Sequence, residues 1–333
     1  MLGAKAGPHL IDKKAMAEVR VLAYDGHRGN LETTRSLLSA VGCRQMEGHV
    51  ELPDFTRRLD SPLFDLVLFD GTESAQVCAD LIQSIRRGDL GQNPFMPILV
   101  TSWDGRGAPV SEYLNAGADD VLLRPFSANA IIERIYALAH NRKAFVVTTD
   151  YVGPDRVGDW SDREKPPMLR PLNPLQARLK GERIDPLVMT AQLKNARRQL
   201  DVERVGRLAR RCAMAAEFIY RAEQPSTETI YVTDLLETAG QLSHTARRTG
   251  HAEIKEISDV MERAVVQAVT PTRDQRDGAA LVRDLALAFH LAYAAGDNER
   301  IRAELEEVLE KVRARLDKVR ESSVRKNWML GAA

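Results

Sequence analysis

Apolar and polar positions in the first 141 residues follow a repeating order. The run "VRVLAY" at 19–24 ends at Asp25. "LETTRSLLSAVG" follows, with Leu31, Leu37, Leu38 and Val41 near helical spacing and Gly42 as a stop. "CRQMEGHV" predicts a second strand, and "PDFTRRLDSP" a short helix between prolines. "DLVLF" at 65–69 is the clearest strand. "AQVCADLIQSIRRG" predicts a helix with Val77, Leu81, Ile82 and Ile85 on one stripe. "MPILVTS" reads as a strand, "VSEYLNAGA" as a short helix and "DDVLL" as a strand. "NAIIERIYALAHN" is a last helix, with Ile131, Ile132, Ile135 and Leu138 apolar. Apolar strands alternating with helices imply a five-stranded parallel sheet covered on both faces. Ligands of such sheets gather beyond the carboxyl ends of the strands. Those ends are Asp25, Asp70, Ser102 and Arg124.

Elsewhere the pattern changes. Residues 1–17 read as a flexible N-terminus. Residues 142–186 are rich in Pro, Gly and charge, without a period, and read as an extended linker or arm. Trp160 is expected to pack locally there. From 187 to 325 strand signals vanish and helices predominate, which predicts an all-α bundle for effector or dimerisation work. Thr233 is a plausible N-cap, and Gly250, Pro271 and Gly296 are stops. The last helix, 298–322, has an apolar seam at Ile301, Leu305, Val308, Val312, Leu316 and Val319. That spacing fits a bundle edge or a two-stranded coil. Residues 326–333 form a tail.

Composition narrows the function classes. Apolar residues make up 44%, enough for a sizeable core, and Lys+Arg equals Asp+Glu at 47 each. No global charge draws the chain to nucleic acid or to a membrane surface. The helix at 194–211 carries the chain's one basic stripe, including Lys194, Arg197, Arg204, Arg207, Arg210 and Arg211. A solvated face paired with acidic helices is favoured over a nucleic-acid interface. Cys43, Cys78 and Cys212 are scattered, with no metal spacing or disulfide framework. With no signal-peptide core and no window near the roughly 18 apolar residues of a span, the expected location is cytoplasmic.

Four segments in order give a family resemblance over residues 18–141. "VRVLAYD" stands at an acidic strand end, "FDLVLFD" at a second, "MPILVTS" ends on a hydroxyl, and "GADDVLLRPF" follows. Together they resemble the receiver domain of two-component response regulators. The resemblance implies a (βα)5 flavodoxin-like fold followed here by the helical bundle. It also implies an Asp that takes a phosphoryl group, a magnesium ion held by carboxylates, a phosphate-pairing Lys and a mobile aromatic. Asp70 aligns with the phosphoacceptor and Asp25 with the first of the acidic pair. Ser102 aligns with the hydroxyl residue, Arg124 with the Lys and Val121 with the aromatic.

The departures decide the expectation. Gly26 stands where the second acid of the pair belongs, so Asp25 and Asp70 make at best a weak magnesium site. Glu73 and His27 are the nearby substitutes, and solvation is favoured for both. Arg124 is a planar fork suited to a standing ion pair with Asp70. Val121 has no ring to move. The chain is therefore expected to be an atypical response regulator without enzymatic activity. It would act through a signalling partner such as a histidine kinase or downstream regulator, and as a homodimer. The expected contact surfaces are 111–113 and 131–136. Two alternatives stay open. One is phosphorylation on Asp70, with "LSHTARRTGH" resembling a histidine phosphotransfer helix at His244, beside Arg247 and Arg248. The other is nucleic-acid binding by the basic helix.

Overall fold

The computed structural model describes residues 13–61, 64–72, 74–105, 107–157, 166, 168–182, 185–221, 229–249, 252–270 and 272–294. The chain divides into two compact units, Met1–Arg197 and Arg198–Ala333.

The first unit opens with α1 (Lys13–Ala17), then alternates β1 (Arg20–Tyr24), α2 (Arg28–Ala40), β2 (Gln45–His49), α3 (Leu52–Arg58), β3 (Leu66–Asp70), α4 (Ala75–Arg87), β4 (Ile98–Ser102), α5 (Gly107–Ala116), β5 (Asp120–Leu123) and α6 (Ala128–His140). The five strands are parallel in the order β2-β1-β3-β4-β5. This is the flavodoxin-like order, with its crevice between β1 and β3. Strands β3 and β4 are buried at every position, which is why both read as continuous apolar runs. The period of two sorts their side chains between two cores. Val21, Leu66, Leu68 and Leu99 pack with Leu38, Ile131 and Ile135 of α2 and α6. Leu22, Val67, Phe69 and Ile98 pack on the other face with Phe55, Ile82, Ile85 and Tyr113 of α3, α4 and α5. Burying each such side chain contributes about 1.5–3 kcal/mol. Ser74 caps α4 by accepting the Val77 N–H at 3.3 Å, and Gly88, at φ 74°, ends it. Ser127 caps α6 by accepting from Ala130 N–H at 3.2 Å.

Two expectations are corrected here. The N-terminal segment is not all flexible: α1 buries Ala15 and Met16. Nor are residues 142–186 an extended arm. They hold β6 (Phe145–Val147), β7 (Val152–Pro154), β8 (Met168–Leu169) and α7 (Pro174–Leu179). The strands form a separate antiparallel sheet in the order β7-β6-β8, and α7 packs on α1 and α6. The strands are too short to show a period, and charged residues that looked solvated serve as the anchor. Arg86 is fully buried and donates to the carbonyls of Gly117 (2.8 Å), Pro94 (2.8 Å) and Met96 (2.7 Å) and to Asp119 (2.7 Å). Arg142 grips the same carboxylate at 2.7 and 3.1 Å. Both guanidiniums lie over the ring of Phe145, at 5.0 and 4.8 Å. Gly117, at φ 108°, leaves room for the approaching strand, since a Cβ there would lie 2.7 Å from the Val152 carbonyl oxygen.

The second unit is helical among its described residues. It comprises α8 (Pro186–Arg221) from residue 198 onward, α9 (Thr229–Arg248), α10 (Ala252–Val269) and α11 (Gln275–Ala294). Arg211–Asp234 and Arg248–Asp201, both 2.8 Å, set α9 antiparallel to α8. Helix α10 packs on α9 and α11, and Arg283–Glu217 at 2.7 Å ties α11 to α8. Cys212, Ala216, Leu242, Met261, Val282 and Phe289 lie in its core. The expected helix at 298–322, the tail at 326–333, Trp160 and the stops Gly250, Pro271 and Gly296 lie outside the described residues.

Burial raises the pKa of Asp119, but Arg142, Arg86 and the Ile98 N–H outweigh it and hold the carboxyl below its ordinary 3.8. Burial pushes Arg86 down to about 10, with Asp119 opposing. Asp119 therefore contributes stability that is complete above its ordinary value and lost as pH falls through the lowered one. Asp119→Asn leaves two buried guanidiniums uncompensated. Urea denaturation at pH 7 is expected to show a loss of about 3–5 kcal/mol. The remaining stability should fall less steeply between pH 5 and 3 than in the parent.

Candidate functional site at the carboxyl edge of the sheet

The topology gathers three charged side chains. Asp25 follows β1 and its N–H bonds the carbonyl of His49 at the end of β2. Asp70 closes β3, paired in register with Thr101 of β4. Arg124 follows β5, its N–H on the Ser102 carbonyl at 2.7 Å. All three side chains are buried, with 3%, 1% and 6% exposure respectively.

Arg124 spans the group. Its Nη2 donates to Asp25 Oδ2 at 2.8 Å, and its Nε to Asp70 Oδ1 at 3.4 Å. Nη2 also reaches Thr101 Oγ1 at 3.2 Å and Thr34 Oγ1 at 3.4 Å. The guanidinium lies 5.1 Å from the centre of the Phe126 ring. The expected pairing with Asp70 is thus shared, and the shorter bond goes to Asp25. The reason lies at Asp70, whose oxygens already accept from Thr72 N–H (3.1 Å), Thr72 Oγ1 (3.0 Å) and Thr101 Oγ1 (3.2 Å). Asp25 Oδ1 accepts from His27 N–H at 2.9 Å and Asn30 Nδ2 at 3.4 Å. Each of the four carboxylate oxygens therefore has a protein donor. Burial raises the pKa of Asp25, and the charge of Asp70 adds to this. The His27 N–H, Arg124 and Asn30 oppose it, and the net direction is up.

Two residues carry roles the sequence did not reveal. Thr101, not Ser102, presents its hydroxyl to Asp70. Ser102 instead accepts from Asp104 N–H at 3.1 Å and donates to the Asp104 carbonyl at 3.3 Å. Adjacent strand residues face opposite sides, so one position of uncertainty at a strand end selects the wrong hydroxyl. Tyr113, expected at a contact surface, is buried and donates to the Gly71 carbonyl at 2.8 Å. A Cβ on Gly71 would lie 2.6 Å from the Tyr113 ring, so Gly71 leaves the space that this ring fills. Ile131, Ile132 and Ile135 are likewise core rather than surface. The exposed apolar side chains at this edge are Trp103 and Leu123. Val121 lines a cleft of about 610 Å³ with Gly105, Leu123, Phe126, Ala130 and Arg134.

The remaining candidates separate. His27 contributes its backbone N–H, and Glu73 lies outside the described residues. His244 sits on an exposed face of α9 in the helical unit. Beside it Arg247 pairs with Asp259 (2.9 Å) and Glu262 (2.7 Å), and Arg248 with Asp201. The basic stripe is divided. Arg197 donates to the Gly88 carbonyl at 2.6 Å, Arg204 is buried, Arg211 bonds Asp234, and Lys194 and Arg210 are exposed. Among the described residues no group of three or more His, Cys, Asp or Glu could hold a metal ion, and no helix is long and apolar enough to cross a membrane.

Gly71→Ala forces a methyl group against Tyr113 and is expected to cost about 1–3 kcal/mol in urea unfolding. Tyr113→Ala opens a cavity, with an expected cost of about 3–5 kcal/mol. The double variant should lose clearly less than the sum, because the methyl then occupies the vacated space; strict additivity would place the two residues out of contact.

No protein-family model matches the chain, and no curated protein matches it. Solved structures similar to it cover its N-terminal part. One is a response-regulator signal receiver domain from Bermanella marisrubri, 25% identical over 36% of this chain and 96% of that one, with a TM-score of 0.32. Another is the chemotaxis protein CheY4 of Vibrio cholerae, 19% identical over 36% and 98%, TM-score 0.32. A third is the orphan response regulator HP1043 of H. pylori, 20% identical over 36% and 96%, TM-score 0.30. These three are described as receiver-domain or response-regulator proteins. Independently of them, the strand order β2-β1-β3-β4-β5 is that of the CheY-like flavodoxin fold.

Proposed function

We propose that the chain is an atypical response regulator that works by binding a signalling protein, without catalysis and without routine phosphorylation of Asp70. The observation that carries this reading is the Arg124 guanidinium lodged across both carboxylates, 2.8 Å from Asp25 and 3.4 Å from Asp70. Receiver chemistry needs a carboxylate oxygen free to attack phosphorus and a metal to neutralise the arriving charge. Magnesium takes hard oxygen ligands in near-octahedral geometry. The side chains here do not fit it. Position 26 is Gly, every oxygen of Asp25 and Asp70 already accepts from a protein donor, and the resident cation is the guanidinium. Arg124 thereby supplies from within the positive charge that a metal would bring.

The partner class is a histidine kinase or a downstream regulator, or a second copy of the chain. The cleft beside Val121, flanked by exposed Leu123, offers an apolar floor with Arg134 on its rim. With Val at 121, no ring gates this face, so its shape is set independently of Asp70.

The test is to incubate the protein with a small acyl phosphate and magnesium and to weigh it. No gain of a phosphoryl group is expected. A stable gain, lost in Asp70→Asn, would establish the phosphorelay reading instead. Arg124→Ala removes the internal cation and leaves two uncompensated carboxylates. Calorimetry is expected to show magnesium binding that is at least about tenfold tighter in this variant than in the parent, a difference of about 1.4 kcal/mol. Equal affinity would remove Arg124 as the reason for weak binding.

A further inference from the structure

The segment that follows α6 builds a second cleft, at the end of the sheet opposite Arg124. Lys143 and Ala144 lead into β6, and Arg170 and Pro171 leave β8. Phe145 and Leu169 are antiparallel partners, so these two stretches lie side by side. His140 at the end of α6 and Asn173 at the start of α7 complete the walls, and the volume is about 210 Å³. The charge of the lining is one-sided. His140, Arg142, Lys143 and Arg170 line the cleft, and among the described residues no Asp or Glu does. Arg142 is the inner cation, with its side chain only 8% exposed. Its Nε and Nη2 bond Asp119, which leaves Nη1 without an acceptor among the described residues. Asp119 also takes Arg86, so two buried guanidiniums share one carboxylate. The region is therefore positive before the exposed Lys143 and Arg170 are added. These cations are not needed to finish α6. The carbonyl of Ala137 accepts from Asn141 N–H at 2.9 Å, and those of Leu138 and Ala139 accept from Asn173 Nδ2 at 2.8 and 3.3 Å.

We propose that this cleft binds a small phosphate-bearing molecule, of which inorganic phosphate and pyrophosphate are the simplest forms. A largely buried guanidinium with a free N–H gives a charge-assisted bond strengthened by low local dielectric. Lys143 and Arg170, on flexible stems at the rim, reach the oxygens that Arg142 leaves. The Gln176 side chain, from α7, adds a neutral amide donor to the lining. Donors that converge from the α6–β6 turn, the exit of β8 and α7 suit a tetrahedral anion, whose oxygens point several ways, better than a planar carboxylate. Size selects within that class. The cleft is smaller than the roughly 300–1,000 Å³ that takes drug-sized ligands, so it fits the phosphate part and leaves any larger part outside. A nucleic-acid backbone is met by cations laid out as a patch or stripe, whereas these point into one concavity. An anion held there would join the entry of β6 to the exit of β8. It would therefore stabilise the added sheet by binding only the folded chain.

The test is calorimetric titration of the full chain with inorganic phosphate and with pyrophosphate, at an ionic strength held constant with sodium chloride. Saturable binding is expected. It should weaken at least about tenfold in the double variant Lys143→Gln with Arg170→Gln, and change less than about twofold in Arg44→Gln, which removes an exposed charge outside the cleft. Both cleft side chains are exposed, so the double variant is expected to fold; if it does not, the two single variants decide, each with a weaker affinity than the parent. Lys143→Arg with Arg170→Lys keeps the charges and should keep the binding. Absence of saturable binding by either anion overturns the proposal. So does an affinity that falls equally in the double variant and in Arg44→Gln, which would reduce the effect to general charge. Binding of a short DNA duplex that the double variant abolishes, without binding of pyrophosphate, also overturns it and assigns the cations to a nucleic-acid backbone.

Discussion

One buried cation organises the functional edge of the sheet. Arg124 arrives from the end of β5 and reaches across to the ends of β1 and β3, where one guanidinium bonds both Asp25 and Asp70. Two carboxylates enclosed so closely cannot both remain ionised without a counterion. A metal ion is one solution and a guanidinium another. The second has a structural consequence, because Arg124 is covalently part of the β5–α6 connection. Neutralising the pocket and fixing that connection become the same event. Thr34, Thr101 and Phe126 complete the seat, so the guanidinium is held by hydroxyls and a ring as well as by charge.

A second buried arginine does a different task at the other end of the sheet. Arg86 and Arg142 meet on Asp119, which sits just before β5, and their guanidiniums lie over Phe145 of the added sheet. Such a cluster adds little net stability over an apolar core of the same volume. It does make the placement of residues 142–157 specific. Each guanidinium N–H needs its acceptor, and the carbonyls of Pro94, Met96 and Gly117 supply them in one arrangement. The segment that carries β6 and β7 is therefore held by directional bonds and not merely by apolar contact.

The legibility of the chain follows from these two clusters. The alternation of β1 to β5 with their helices was readable because β3 and β4 are buried on both faces and helices such as α4 and α6 carry an apolar stripe. Asp25, Asp70 and Arg124 were readable because strand ends in such a sheet converge at one edge. The role of Thr101 was not, since choosing between Thr101 and Ser102 requires the register against Asp70. Tyr113 was misread as surface because one aromatic in a short helix gives no sign that it fills the space above a glycine forty-two positions away in the chain. The added sheet was missed because Arg142, Asp119 and Arg156 look like solvated charges until their partners are known.

A pocket that carries its own cation also limits what a signal can do to it. In a metal-dependent site, charge arrives and leaves with the metal and the phosphoryl group, so the local field can differ between two states. Here the positive charge is built into the chain, and Asp70 is already held by two hydroxyls and a backbone N–H. Tyr113 is likewise committed to the Gly71 carbonyl, next to Asp70, so the loop after β3 is tied to α5. A ligand shifts such an arrangement only by as much as it prefers a second one. The contacts that would have to break for that second arrangement are buried and charge-assisted. The proposal that a partner bound at the surface beside β5, and not the covalent state of Asp70, carries the information rests on those contacts.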